Sequence, residues 1–341
     1  MIALLAAAAA IGGLPACDLP FALGQPTTRA LEDGAVSNLD EVKSFRITGT
    51  YTDQSATLNT AASSARTSPA GVRVTVDLEL AKPALEHVIV SAANVNLEAI
   101  VAGNVAYFRG NQFLSQHMGS DPLSRNLVRA AGNGWWKGAA DNAPRLPDLT
   151  DGKSFRSTFL GTAVTRRTEH ESVDGFDAVG LSGPRADVFI ASNPPYRVLR
   201  VNIKKGVVVD GISDGVLRFD SYGRDFQIAA PTDVIDFSNL STLPPIYTVV
   251  SVDTSRCLSP CTVSALLKNL GGMTGALALS TVTFTMTDSA SGLVVASCQA
   301  KVQPDVGFNS TTTVACTMGG VNGKQVDAAS VTATADNPGR G

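Results

Sequence analysis

The sequence predicts a mainly β protein with a few helices. An antiparallel sheet covered by helices comes first, and a smaller β-sandwich follows. Three observations carry this. Apolar and polar residues alternate with period two in several stretches. None of the predicted strands is separated from the next by a helix long enough for a parallel crossover. Near residue 244 the composition shifts, and four of the five cysteines lie beyond it.

The chain of 341 residues is long enough for two domains and a tether. Its 27 basic and 30 acidic side chains leave a net charge of -3. That disfavours a nucleic-acid partner, which needs a concentrated basic face. Arg166-Arg167 and Lys204-Lys205 are the only basic doublets, and each reads as a solvated edge.

The first sixteen residues, MIALLAAAAAIGGLPA, carry no charge and are too short to span a bilayer comfortably. They read as the apolar region of a secretory signal with small residues before the cut. Leu14-Pro15-Ala16-Cys17 resembles a bacterial lipobox, which makes Cys17 the lipidated first residue of the mature protein. The segment departs from that pattern in Pro15 and in having no basic residue before Arg29. An ordinary cleaved signal and a structural N-terminal helix are the other two readings. Cys17 followed by the Pro- and Gly-containing stretch to residue 27 forms a tether, and the organisation expected is 1–16 signal, 17–27 anchor and tether, 28–243 sheet domain, 244–341 sandwich. The location expected is outside the cytoplasm, held to the plasma membrane at Cys17.

From Thr28, Leu31, Ala35, Leu39 and Val42 recur at helical spacing. Gly34 weakens that helix by about 1 kcal/mol relative to alanine. The period then changes to two. Phe45, Ile47 and Tyr51 share a face, and Val72, Val74, Val76, Leu78 and Leu80 alternate with Arg73, Thr75, Asp77 and Glu79. Such alternation defines one dry and one wet sheet face. Residues 52–70 read as a long hairpin loop. Further strands are expected at VNLEAIVAG, VAYFRG, DAVGLS, ADVFIA, RVLRVNI, GVLRFDSY and DFQIAA. Two segments interrupt them as helices. One starts at Asp121 as N-cap with Pro122 at the first helical position and ends at Gly132. The other contains Phe155, Phe159 and Leu160.

Residues 239–249, with Pro244-Pro245, read as a stiff linker. Beyond it, six short Thr-, Ser- and Val-rich strands with turns between them suggest an immunoglobulin-like sandwich. Cys257, Cys261, Cys298 and Cys316 allow three pairings. Cys257 and Cys261 are close in sequence across a proline turn, and a hairpin turning near 305–307 would set Cys298 opposite Cys316. Cys257–Cys261 and Cys298–Cys316 are therefore expected, in an oxidising compartment.

The run ADVFIASNPPYRVLRVNIKKG, then LRFDSYGRDFQIAAPTDVIDFSNL, resembles the C-terminal half of the LppX/LprG-type lipoproteins and their LolA-like relatives. The features are Pro195-Tyr196 before an apolar-basic strand, Phe219, Tyr222-Gly223, Ile228, Pro231 and the closing VID. The opening helix with VKSFRITG resembles that family's start, and Trp135-Trp136 sits where it often has a tryptophan. The resemblance covers about residues 28–243 and leaves the sandwich outside. It implies a curved half-barrel with helices in its mouth, holding a lipid or other lipophilic molecule between sheet and helices. The lining residues expected are Val74, Val76, Leu78, Trp135, Trp136, Phe159, Leu199 and Val201. The alternative is a filled scaffold whose sandwich binds an envelope protein or a glycan.

Catalysis is not expected. No GxSxG, HExxH or phosphate-cradling glycine loop occurs. His87, His117 and His170 each read as isolated surface histidines. CLSPC lacks the spacing of a zinc or redox motif, so neither metal nor cofactor is expected.

Overall fold

The computed structural model describes residues 25–54, 71–93, 95–161, 164–321 and 323–340. The signal segment, Cys17 and residues 55–70 lie outside them. The first helix is α1 (Thr28–Glu41), and five strands follow: β1 (Ser44–Asp53), β2 (Val72–Ala81), β3 (Leu85–Ala92), β4 (Val95–Ala102) and β5 (Val105–Arg109). Helices α2 (Asn111–His117) and α3 (Pro122–Ala131) lead to β6 (Trp135–Ala139). Then come α4 (Pro147–Thr150), α5 (Gly152–Phe159), β7 (Arg166–Val173), β8 (Phe176–Ser182), β9 (Ala186–Ala191), β10 (Val198–Ile203), β11 (Ile212–Asp220) and β12 (Val234–Ile235). The last part contains β13 (Tyr247–Asp253), β14 (Cys261–Asn269), β15 (Thr281–Asp288), β16 (Val294–Lys301), β17 (Thr311–Met318), α6 (Gly323–Asp327) and β18 (Ala329–Asp336).

Strands β12-β6-β5-β4-β3-β2-β1 lie side by side in that order, and so, by themselves, do β11-β10-β9-β8-β7. Neighbouring strands within each group pair antiparallel except β12 with β6, where Val234 and Ile235 run parallel to Trp135 and Trp136. The chain divides into two compact units, Met1–Lys43 with Leu146–Tyr222, and Ser44–Arg145 with Gly223–Gly341. No helix among the described residues is long and apolar enough to cross a membrane.

In the first unit, α1 buries Leu31, Ala35 and Leu39 completely. Thr27 caps it, accepting the Ala30 N–H at 3.1 Å. Gly34 has a packing reason, since a Cβ there would lie 2.3 Å from the Tyr196 ring. Helix α5 packs on α1 through buried apolar side chains and polar clips. Asp40 accepts the Gly152 N–H at 2.8 Å, and Glu32 accepts that of Gly161 at 3.1 Å. Strands β8 to β11 turn Val179, Leu181, Val188, Ile190, Val201, Ile203 and Leu217 inward.

In the second unit, β1, β2, β4 and β5 form where the sequence predicts strands, β3 is a strand the sequence reading did not name, and α3 has Asp121 as its N-cap, accepting from Leu123 and Ser124 at 3.0 Å each. Several expectations are corrected here. DFQIAA forms no strand; residues 223–230 alternate too little apolar surface to be drawn onto a sheet. The expected linker is not a free joint. Leu243, Ile246 and Tyr247 are buried, and the Leu270 and Gly272 N–H groups donate to the Ile246 and Leu243 carbonyls at 2.8 Å each.

All six C-terminal strands form. They make two three-stranded sheets, β13-β14-β17 and β16-β15-β18, over a shared core that includes Val263, Leu267, Val282 and Phe284. The disulfides join Cys257 to Cys261 and Cys298 to Cys316. The second is not the hairpin bridge expected. Strand β16 pairs with β15 and β17 with β14, so the bond ties the edge strands of two sheets, with Cα atoms 6.1 Å apart. The chain between them crosses from one sheet to the other instead of turning back.

Candidate functional site

The dry face of β1 to β6 is the site the sequence points to, and the strand register draws it as a grid. One row runs Ile47, Leu78, Val88, Ala99, Phe108, Trp136. A second runs Phe45, Leu80, Glu86, Val101, Ala106. Beyond these come Val76, Val90 and Leu97, then Tyr51 with Val74. Val74, Val76 and Leu78 are 1–2% exposed.

Polar groups enter this face only near its ends. Glu86 sits between Leu80 and Val101, and burial pushes its carboxyl above the usual range, against the pull of Arg145 at 3.9 Å. Tyr51 lies six residues along β1 from Phe45, roughly 20 Å at strand rise. Burial and the neighbouring Asp53 carboxylate push its phenol well up. Between them the rows on β1 to β4 are aliphatic or aromatic apart from Gly49.

The nominated residues separate. Trp136 is on the dry face, its ring 6.1 Å from that of Phe108. Trp135 is not. Adjacent strand residues point to opposite faces, and Trp135 lies on the wet side with the Arg109 guanidinium 4.7 Å over its ring. In the other unit Phe159 is buried beside Phe155, with ring centroids 5.1 Å apart. Val201 is fully buried opposite Leu217 and Val188. Leu199 is misplaced by the sequence reading: the register shifts between Val198 and Arg200, and the extra residue packs with Val173, Ala178, Phe189 and Ala191 instead. The sequence reading also missed Phe45, Ile47, Val90, Leu97 and Phe108, which the same alternation marks.

His87 is not the isolated side chain expected. Its ring nitrogens lie 3.3 Å from Glu79 and 2.9 Å from Glu98 on the wet face, and Arg109 Nε donates to Glu98 at 2.8 Å. This cross-strand network continues to Trp135 through Arg109. It lies on the opposite face from the apolar grid.

No family model and no curated protein matches the chain. Among solved structures, the crystal structure of the Mycobacterium tuberculosis lipoprotein LppX is similar at 12% identity. The match covers 59% of this chain and 99% of that one, with a TM-score of 0.32.

Proposed function

We propose that the protein is a non-catalytic lipoprotein outside the cytoplasm, anchored to the plasma membrane through Cys17, that binds or transfers a lipid or another lipophilic molecule. The observation that carries the reading is the dry face of β1 to β6, an apolar grid with polar groups held to its ends. Such a surface matches an acyl chain with a polar terminus. Each methylene buried against it contributes about 0.8 kcal/mol. Glu86 with Arg145, or Tyr51, would meet the polar end.

One observation favours a second reading. Val74, Val76, Leu78, Val88 and Val90 are all within 2% of complete burial with no ligand bound. On that reading the core is a filled scaffold and the sandwich meets an envelope protein or glycan, for which Leu258, Leu277 and Leu293, each 69–73% exposed, are the available apolar surface.

Native mass spectrometry with organic extraction, followed by displacement of a fluorescent fatty acid, separates the two. Saturable binding by a folded protein is expected. Its absence across several lipid classes would leave the scaffold. Cys17→Ser is expected to release the protein from membranes, because a diacyl anchor binds stably where one chain binds marginally. A variant that stays membrane-bound with its signal uncleaved overturns the anchor.

A further inference from the structure

Helices α2 and α3 face each other across a cleft of about 550 Å³ that the apolar grid does not use. It is lined by Asn111 and Ser115 on α2, Gly119 and Ser120 in the connection, and Arg125, Val128 and Arg129 on α3. Asn111 holds the two helices together, donating to the Gly132 carbonyl at 2.8 Å and to that of Val128 at 3.3 Å.

The charge here is one-sided. Arg125 and Arg129 are one helical turn apart, so two guanidinium groups share a face, an arrangement that disfavours the helix unless something neutralises it. None of the seven lining residues is acidic. The carboxylate next in sequence, Asp121, is already engaged by the Leu123 and Ser124 N–H groups and the Ser124 hydroxyl. Arg129 meets Asp336 at 3.1 Å, but both side chains are more than half exposed, and a pair of that kind is readily exchanged. Arg125 makes no side-chain hydrogen bond or ion pair among the described residues.

We infer that this cleft binds a phosphate group carried on a larger molecule. Guanidinium forks match phosphate oxygens in pairs, and two arginines one helical turn apart line this cleft together with Ser120. The cleft is larger than a bare phosphate, leaving room for what the phosphate is attached to. That group can be a phospholipid headgroup at the membrane or a soluble phosphoester. The inference is independent of acyl-chain binding, since neither helix face belongs to the apolar grid.

The test compares the full chain with Arg125→Gln/Arg129→Gln and with Arg125→Lys/Arg129→Lys, each checked for folding by circular dichroism. One arm titrates inorganic phosphate by calorimetry at constant ionic strength, with chloride as control. The other measures sedimentation with phosphatidylcholine vesicles, with and without phosphatidylglycerol. The Gln pair is expected to weaken binding at least tenfold in one arm and the Lys pair less. A loss in the phosphate arm identifies a soluble phosphate site. A loss confined to phosphatidylglycerol vesicles identifies a headgroup site, and any contribution of the N-terminal segment is common to all three proteins. Equal binding by the parent and the Gln pair, an equal response to chloride, or no binding in either arm overturns the inference.

Discussion

Buried polar side chains are handled differently in the C-terminal sandwich and in the large sheet. In the sandwich two asparagines and a tyrosine hydroxyl are saturated, while the buried Ser280 hydroxyl has no partner among the described residues. Asn269 is completely buried, and its amide oxygen accepts the Ile246 and Gly271 N–H groups at 2.9 Å each. Its NH2 donates to the Gly272 and Val306 carbonyls at 2.8 and 2.6 Å. Asn337 clasps the backbone of Tyr247 from both sides, at 2.9 and 3.0 Å. The Tyr247 hydroxyl donates to Asp305 and accepts the Val306 N–H, both at 3.0 Å. In the large sheet and its helices, Glu86 and Asp210 are carboxyls whose pKa burial raises, which marks them as under-compensated. Satisfied buried polar groups fix a unique arrangement, whereas under-compensated ones concentrate where a protein works. The sandwich is the pinned part of the molecule, and the sheet region carries the unspent polar chemistry.

The sharpest way to break this contrast is Asn269→Ala. It leaves two buried N–H and two carbonyl groups without partners. A loss of about 4 kcal/mol is expected, because each orphaned buried group costs about 1–3 kcal/mol and relaxation recovers part. Urea unfolding followed at Tyr247 reads it. A loss under 1 kcal/mol would mean that the sandwich is not pinned by this amide.

In the sheet the corresponding term is volume. Leu78→Ala on the dry face is expected to cost about 3 kcal/mol, the middle of the range for buried leucines. A saturating fatty acid at about a hundred times its Kd would return roughly 2.7 kcal/mol to the parent protein if it binds the native state alone. An unchanged melting temperature with fatty acid present favours the filled scaffold. Cys298→Ser/Cys316→Ser belongs beside it in size. The bond closes 18 residues and its removal is expected to cost about 3 kcal/mol in the chain-entropy picture. Because it links two sheets, the loss should appear in the sandwich and leave fatty-acid binding intact.

What could be read from the residues follows from how local the governing physics is. The strand Val72–Leu80 and the helix after Asp121 are fixed by period and capping within a dozen residues, and both form as expected. Trp135 and Leu199 lie off the faces the sequence predicts for them because a face is set by phase. Nothing local reports the register shift at Val198–Arg200 or which of two adjacent tryptophans turns inward. Helix α2 is seven residues long with no side-chain cap, and β7, RRTEHESV, has no apolar alternation, so neither announces itself. Asn337 becomes a staple only because folding brings it to Tyr247, 90 residues away. The α2–α3 cleft likewise needs two helices to meet before its arginines share a space.

The smallest expected effect tests the other side of the contrast, where relieving an under-compensated group should stabilise. Asp210 Oδ2 accepts the Asp148 N–H at 2.8 Å at the start of α4. Burial, assisted by the Asp148 charge, raises its pKa to about 6. An aspartate in the unfolded chain titrates near 3.9. Between those values the native state holds a proton that the unfolded chain has lost, so stability falls as pH rises through that window and is level above it. Fully expressed, a shift of two units is worth roughly 2.7 kcal/mol. Asp210 is only partly buried, and solvent screening brings the expected figure to about 1 kcal/mol. Asp210→Asn keeps an oxygen for the Asp148 N–H and removes the charge. It is therefore expected to match the parent near pH 4 and to exceed it by about 1 kcal/mol at pH 7. Thermal melts at half-unit steps between pH 4 and 8 measure the difference. A constant offset across that range would show that Asp210 does not titrate inside the window, and a deficit growing with pH would reverse the sign of its role.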